Sequence, residues 1–211
     1  METDVVQAVA QHAEETLGKE GFRYVSAVVA NCKMLALDLE ARGDEEAAHL
    51  DMEALTIAAY LHDISTATYG FQDHHIKSAE LAVDFLRELD VPEERIRKVE
   101  QIILAHTTVV PAEQRRKVPL ETRILYDADK LGRLSGLAVV TSLIEFGARY
   151  PNRAVTSEVL AAILRHIEER FVELYQSLNT APARELARDK FGKTLAFLDG
   201  VIEHLSGATP V

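Results

Sequence analysis

Cysteine and aromatic residues are scarce in this sequence. Of its 211 residues one is a cysteine, Cys32, none is a tryptophan, and 6% are aromatic. A lone cysteine excludes an intrachain disulfide, which is typical of proteins in a reducing compartment, so we expect a cytoplasmic location. Because Cys32 lies inside a helical run of apolar residues, we interpret it as a small core residue rather than a nucleophile.

Positive charge is also in short supply. Lys and Arg number 23 against 34 Asp and Glu, a formal net charge of −11. An acidic chain repels the nucleic acid backbone, so we expect no stable nucleic acid binding. A small anionic substrate stays compatible with a local metal ion or a few basic side chains. The sequence has neither the basic start of a signal peptide nor an apolar run of membrane-spanning length, so we expect no membrane partner.

Strand patterns are almost absent, and apolar residues recur at helical spacing along most of the chain. The apolar content of 47% is sufficient for a sizeable core, and we expect one all-α domain over residues 1–211. The predicted helices cover residues 3–17, 22–41, 51–61, 75–89, 92–107, 120–131, 134–146, 156–175 and 180–205.

Glycine, proline and capping residues mark several of these predicted ends: Gly18 as a stop, Asp51, Asp73 and Thr180 as N-caps, and Pro92 in a first turn. Residues 108–119 contain two prolines and a charge cluster, which predicts a loop. The apolar run over 134–146 predicts a buried helix.

The eight histidines fall into two groups. Four lie in segments rich in charge, where a solvated helix face is the simpler interpretation: His12, His49, His166 and His204. The other four lie at the ends of apolar or amphipathic helices.

His62 and Asp63 end the apolar run 55–61. A histidine and an aspartate at the buried end of a helix are costly unless they are paired or bound to a metal. A cation near the helix end can meet both side chains, although such a dipeptide also arises by chance.

His106 closes the apolar run 102–105, and Asp129 follows Leu125 by one helical turn. Alone, His106 is more typical of a structural core histidine, and Asp129 of a helix-end ion pair with Lys130. His74 and His75 open a helix, where a capping role is the simpler interpretation. Taken together, imidazoles and carboxylates at several helix ends predict a site for an iron-, manganese- or zinc-type ion, and not for calcium.

At these positions the sequence resembles the HD superfamily of metal-dependent phosphohydrolases, in particular small bacterial members that act on nucleotides. Four segments carry the resemblance: AAYLHDI over 58–64, HIKSA over 75–79, IILAHTT over 102–108 and ILYDADKL over 124–131. The resemblance covers about residues 20–205. It implies an HD-type helical bundle, with a core over about 20–150 and additional C-terminal helices over about 151–205 packed on it.

The resemblance also implies roles for individual residues. His62, Asp63 and Asp129 match the metal ligands, and His75 and His106 match further histidines that hold a second metal in dinuclear members. Lys130 and Arg133 are candidates to bind a substrate phosphate. The implied cofactor is one or two divalent transition metal ions, with Mn, Fe, Co or Ni preferred to Zn or Mg.

One position departs from the family pattern. The first core helix usually carries another histidine ligand, and Tyr24 occupies that position here. A phenolate is a ligand for ferric iron but a poor substitute for imidazole on a divalent ion. Three outcomes follow: Tyr24 is a ligand, a water fills its place, or the site is impaired.

The expected function is metal-dependent hydrolysis of a nucleotide or another small phosphate ester. Asp63 would orient the attacking water, His106 or His75 would transfer a proton, and Lys130 would offset phosphoryl charge. The alternatives are an HD-type di-iron oxygenase and a catalytically impaired metal-binding module.

Two predicted loops contain residues that could lie near a substrate. The loop over 65–73 follows the metal pair and is a candidate pocket wall. The loop over 108–119 carries Arg115, Arg116 and Lys117, which either reach an anionic substrate or form a solvated charge cluster. Apolar helices in excess of one core are compatible with a homodimer.

Overall fold

The computed structural model describes residues 4–107, 117–134, 136–152, 156–205 and 207, and every regular element in that part of the chain is helical. This confirms the all-α prediction. The helices are α1 (Val5–Ala41), α2 (Met52–Leu61), α3 (Thr66–Tyr69), α4 (His74–Glu88), α5 (Glu93–Ala105), α6 (Leu120–Arg133), α7 (Gly136–Arg149), α8 (Ser157–Ser177) and α9 (Ala181–Leu205), with a short 3-10 turn at Ala47–His49.

Helix α1 is interrupted at Gly18, as the sequence predicts. Gly18 has φ 67° and ψ 179°, so two helical segments meet at a kink. This conformation has a positive φ that favours glycine over residues with a Cβ atom. The segment after the kink buries Val25, Val28, Cys32 and Leu35, which are spaced by three or four residues and form one inward face.

The chain divides into two compact units, Met1–Asp129 and Lys130–Val211, with the boundary inside α6. The prediction of a single domain is not tested by this division. In the first unit α2 packs against α1 and α5, and α4 packs against α5. Helix α2 is buried on nearly every side, which explains why residues 54–61 are almost all apolar.

A polar network joins the N-terminus of α2 to α5 and α6. Asp51 caps α2 as predicted, because its Oδ1 accepts a hydrogen bond from the Ala54 amide at 3.0 Å. The main-chain amide of Asp51 donates to Glu121 Oε1 at 3.0 Å, and Lys98 Nζ lies 2.8 Å from the same oxygen. A single buried carboxylate therefore links three helices.

The predicted cap at the start of α4 is only partly correct. Asp73 does occupy the N-cap position, but its backbone has φ 53° and its side chain makes no capping hydrogen bond. A left-handed N-cap does not have the extended geometry that directs a capping oxygen towards the first amides. Local sequence therefore locates this helix start without giving its capping interaction.

The second unit contains the paired helices α8 and α9. Tyr175 stacks on Phe191 with ring centroids 4.5 Å apart, and Glu168 interacts with Asp199, so the two helices run antiparallel. Thr180 caps α9 as predicted, because its Oγ1 accepts a hydrogen bond from the Ala183 amide at 3.4 Å. This cap sets the start of α9 directly after α8.

The prediction of a buried helix over 134–146 is wrong for most of α7. Val139 is buried, but Leu137 and Ile144 are 75% and 65% exposed. An apolar run indicates that the residues are favourable to bury. It does not show whether other residues of the same chain pack against them.

Among the described residues, no single helix combines the length and the apolar character needed to cross a membrane. The helices Leu120–Arg133 and Gly136–Arg149, taken together across the bend between them, meet that requirement by length and composition only.

Candidate metal centre

His62 and Asp63 lie directly after α2, at the end of the most buried helix of the first unit. His62 is the C-cap residue of α2 and is 0% exposed, and Asp63 is 5% exposed. His106 is the C-cap residue of α5 and is also buried. One ligand atom from each of these three side chains lies within 4.8 Å of the others, so they form a group that could hold a metal ion.

Three histidines at the centre share one hydrogen-bonding pattern. In each ring, Nδ1 lies against the main-chain carbonyl three residues earlier: His62 on Ala59 at 2.8 Å, His74 on Phe71 at 2.9 Å, and His106 on Ile103. A carbonyl oxygen only accepts, so Nδ1 carries the proton in the neutral imidazole and Nε2 keeps its lone pair. Metal-binding histidines commonly have this hydrogen bond from the other ring nitrogen, which orients the ring and leaves Nε2 as the ligand atom.

Two polar atoms of the group are buried without a hydrogen-bond partner, His62 Nε2 and Asp63 Oδ1. The nearest approach between the two side chains, from His62 Nε2 to Asp63 Oδ2, is 3.5 Å. Leaving such atoms unpaired costs about 1–3 kcal/mol each. A cation bound between a lone pair on nitrogen and a carboxylate oxygen removes this cost, so the donor set fits a divalent transition metal.

His74 contacts this group through Asp63, although the sequence interpretation favoured its neighbour His75. His74 Nε2 lies 3.5 Å from Asp63 Oδ1, and its ring centroid is 5.8 Å from that of His106. Both His74 and His75 begin α4, whose buried residues Ser78, Ala79, Ala82 and Leu86 leave either histidine at the edge of the inward face. Helical periodicity therefore could not select between them.

His75 lies behind His74 in the structure. Its ring centroid is 5.6 Å from that of His74, and its Nδ1 is buried without a hydrogen-bond partner. Burial, and next the nearby His74, lower the pKa of His75 below its ordinary value. A neutral imidazole next to the group is compatible with the predicted role in metal binding or proton transfer, which stays a prediction.

Asp129 contacts Tyr24, the residue predicted to stand where related sequences have a histidine. The Tyr24 hydroxyl donates a hydrogen bond to Asp129 Oδ1, and the Tyr24 ring centroid is 6.3 Å from that of His62. Asn31 also reaches α6, with its Nδ2 3.3 Å from the Ala128 carbonyl oxygen. Tyr24 thus contacts one of the predicted ligands through a hydrogen bond.

Cys32 is a core residue, as the sequence indicates. It is 1% exposed, and burial raises the pKa of its thiol, as do the negative charges of Asp129 and Asp127. A thiol in this environment stays protonated and is a poor nucleophile.

Buried serines connect the turn after Asp63 to α4. Ser78 Oγ accepts a hydrogen bond from the Ser65 amide at 3.1 Å and donates to Ser65 Oγ at 3.0 Å. Ser65 Oγ in turn donates to the His74 carbonyl at 3.1 Å. These contacts hold the start of α4 against the turn that carries Asp63, and sequence analysis missed them because the two serines are 13 residues apart.

The remaining predicted site residues differ in their burial. Lys130 follows Asp129 on α6 and is 5% exposed, and Arg133 is half-buried. Their contact with a substrate phosphate stays a prediction. Arg115 and Arg116 of the predicted loop lie outside the described residues, whereas Lys117 is exposed and non-helical.

Comparison with known proteins identifies the family. The family model for the HD domain matches residues 9–134, and no curated protein matches this chain. A protein from Lactobacillus plantarum is 18% identical with a TM-score of 0.72, and the alignment covers 98% of this chain and 100% of the other. An HD-superfamily hydrolase from Bacillus thuringiensis is 19% identical with a TM-score of 0.68, covering 98% and 99%.

A third similar structure is YpgQ from Bacillus subtilis in complex with ADP. It is 16% identical with a TM-score of 0.67, and the alignment covers 94% of both chains. At these identities the structural likeness supports the fold alone. The family model spans more than half of the chain and includes α2, α4, α5 and α6, which carry the histidine and aspartate group, and on this match the chain belongs to the HD domain family.

Proposed function

We propose that this protein is a metal-dependent phosphohydrolase that acts on a nucleotide or another small phosphate ester. The observation that carries the proposal is the group of His62, Asp63 and His106, whose ligand atoms lie within 4.8 Å of one another. Membership of the HD family supports hydrolysis, and the ADP complex of YpgQ supports a nucleotide as the substrate.

Side chains of the group have separable tasks in this proposal. The Nε2 atoms of His62 and His106 would hold one divalent ion together with Asp63, and Tyr24 would keep Asp129 oriented towards the same centre. When bound, the ion would supply Lewis acidity to a phosphoryl oxygen and to water. The low exposure of these residues excludes bulk water and strengthens each electrostatic interaction there.

Proton transfer and charge compensation fall to other residues. Asp63 would orient the attacking water through its second carboxylate oxygen, and a histidine beside the group would protonate the leaving oxygen. His74 is a candidate for that step together with His75, because His74 Nε2 lies 3.5 Å from Asp63 Oδ1. His106 is not, since its Nδ1 lies on the Ile103 carbonyl and its Nε2 would bind the ion. Lys130 and Arg133 would offset negative charge on the phosphate.

The test combines metal analysis with hydrolysis assays. Purified protein is analysed for metal content, loaded with Mn, Fe, Co, Ni or Mg, and assayed with a panel of nucleotides and simple phosphate esters. We expect metal-dependent phosphate release that is lost in His62→Ala and kept in His49→Ala, a matched change at an exposed histidine. An absence of turnover with every ion would rule out the hydrolase.

The alternative functions have distinct signatures in the same samples. Two irons per chain with consumption of dioxygen would favour the di-iron oxygenase. A centre that stays empty after growth in metal-supplemented medium would favour the impaired module.

A further inference from the structure

An exposed aromatic residue lies next to a histidine that contacts the metal group. The side chain of His62 is 0% exposed, whereas that of His74, which contacts Asp63, is 20% exposed. The rings of Phe71 and His74 meet in a T-shaped arrangement, with centroids 6.1 Å apart. Phe71 is itself 69% exposed, so a face of its ring is open to a planar ligand.

The segment that carries Phe71 is held by several contacts. Gly70 has φ 69° and ψ −164°, a conformation that is open to glycine almost alone, and the chain turns there immediately before Phe71. Lys77 Nζ lies 5.3 Å from the centroid of the Tyr69 ring and donates to the Gln72 carbonyl at 3.3 Å. Tyr69 is thus engaged by a cation, and Phe71 presents its ring to solvent.

Phe71 is also tied directly to a histidine of the centre. Its carbonyl oxygen accepts the hydrogen bond from His74 Nδ1 at 2.9 Å, and His74 Nε2 lies 3.5 Å from Asp63 Oδ1. A single residue, His74, therefore lies between the exposed Phe71 ring and the Asp63 carboxylate, which would face a substrate phosphate. A nucleotide has the same layout, with an aromatic base separated from its phosphates by one sugar.

We propose that Phe71 is a specificity residue that stacks against the heteroaromatic base of a nucleotide whose phosphates lie at the His62–Asp63–His106 group. The proposal rests on the proposed function for the position of the phosphates. Stacking suits an acidic chain, because every base has a π-face that binds without a charged partner. The site would consequently prefer nucleotides to phosphate compounds that lack a base.

The experiment compares ADP with inorganic pyrophosphate, which has the phosphates and no base. Affinities are measured by titration calorimetry on Mn-loaded protein, for the unchanged chain and for Phe71→Ala and Phe71→Trp. We expect Phe71→Ala to weaken ADP binding about tenfold or more, as loss of one base–aromatic stack does. Pyrophosphate affinity and metal content should be unchanged, and Phe71→Trp should retain ADP binding.

The matched control is Leu37→Ala, at an apolar residue that is 65% exposed on α1. Leu37 lies 13 residues after Tyr24, roughly 20 Å along the helix at about 1.5 Å per residue, and should not affect either ligand.

The outcomes separate this proposal from the proposed function. Equal ADP affinity in Phe71→Ala and the unchanged chain overturns the stacking role, and so does equal weakening of ADP and pyrophosphate, which would indicate damage to the centre. ADP binding that depends on Phe71, in a protein that hydrolyses nothing in the panel of nucleotides and phosphate esters, supports stacking while defeating the hydrolase. Failure of both ligands to bind the unchanged chain overturns both.

Discussion

The hydroxyl of Tyr24 donates a hydrogen bond to Oδ1 of Asp129, across 105 residues of sequence. The contact joins α1 to α6, and the sequence predicts that Tyr24 stands where HD proteins usually have a histidine. A phenol supports the aspartate as a neutral donor, whereas a histidine would add a ligand atom. We therefore expect Tyr24 to act by positioning Asp129, the predicted ligand.

This arrangement predicts different metal affinities for two substitutions of Tyr24. Tyr24→Phe removes the donor from a buried carboxylate, and we expect metal affinity to fall about 10–100-fold, as it does when a hydrogen-bond partner of a metal ligand is lost. Tyr24→His supplies an imidazole at the family position, and we expect metal occupancy above that of Tyr24→Phe. Occupancy is measured by elemental analysis after dialysis against a graded chelator.

The matched control for these variants is Tyr60→Phe, which removes the same hydroxyl from a tyrosine that stacks on Phe22. Tyr60→Phe should leave metal affinity unchanged. If Tyr24→Phe behaves like this control, the hydrogen bond to Asp129 has no role in the centre.

The helix ends and most of the metal group could be predicted from sequence because they depend on local chemistry. Gly18, Asp51 and Thr180 act within one helical turn of their own positions, where glycine conformations and capping bonds are decided. His62 and His106 each follow an apolar run at the end of a helix, so their burial follows from the pattern that precedes them.

The parts that could not be predicted depend on packing between elements. The choice of His74 as a contact of Asp63 depends on the rotation of α4 about its axis, which no local rule sets. The pairing of Ser65 with Ser78 depends on how α4 meets the turn after α2. The exposure of Leu137 and Ile144 depends on what covers α7, and that is a property of the surroundings rather than of the apolar run.

The serine pair predicts a positioning effect on His74. Ser78→Ala leaves the buried Ser65 amide without its acceptor, which should lower the free energy of unfolding by about 1–3 kcal/mol. Because Ser65 Oγ holds the His74 carbonyl, metal affinity should fall as well. Urea denaturation of the metal-free protein measures the first effect, and metal titration of the folded protein measures the second.

A buried hydroxyl elsewhere provides the comparison for Ser78. Thr194 is 5% exposed on α9 and donates to the Lys190 carbonyl at 2.9 Å. Thr194→Ala should lower the free energy of unfolding without changing metal affinity. A loss of stability without a loss of metal affinity in Ser78→Ala would show that the serines are structural only.

The network around Glu121 predicts how stability depends on acid. Burial raises the pKa of Glu121, but hydrogen bonds from Lys98 and the Asp51 amide outweigh it, so the pKa lies below its ordinary value. The pKa of Asp51 is lowered in the same way, against burial, by the Ala54 amide and by Arg95 and Lys98. Carboxyl groups with lowered pKa values stabilise the fold above their unfolded pKa, and this contribution is lost as the pH falls.

Removing the shared cation tests this network. Lys98→Met should lower the free energy of unfolding by about 1 kcal/mol at neutral pH, since Lys98 is partly exposed and screened. The difference from the unchanged chain should shrink as the pH falls through the lowered pKa values of the two carboxyls, because each loses its charge there. Arg97→Met, at an exposed position one residue earlier, is the control for lost charge. A pH-independent difference would assign the effect of Lys98→Met to packing.

The α8–α9 pair predicts a substitution that stabilises the protein. Burial and the neighbouring Asp199 and Glu169 raise the pKa of Glu168, so its charged form is disfavoured in the folded state. A group whose pKa is raised on folding loses its stabilising contribution as the pH rises through that pKa, and at neutral pH Glu168 and Asp199 repel each other across the two helices. Glu168→Gln should raise the free energy of unfolding by about 0.5 kcal/mol, the magnitude of a like-charge pair on a helix surface.

The control for Glu168→Gln removes an equal charge from the same pair of helices. Glu203→Gln lies at an exposed position of α9, so both variants reduce the net charge of −11 by one. Thermal denaturation at pH 7 and pH 4 should show a higher midpoint for Glu168→Gln at pH 7 alone, because protonation removes the repulsion at the lower pH. Equal shifts in the two variants would mean that the gain comes from the overall negative charge, and that the contact between Glu168 and Asp199 does not destabilise the pair.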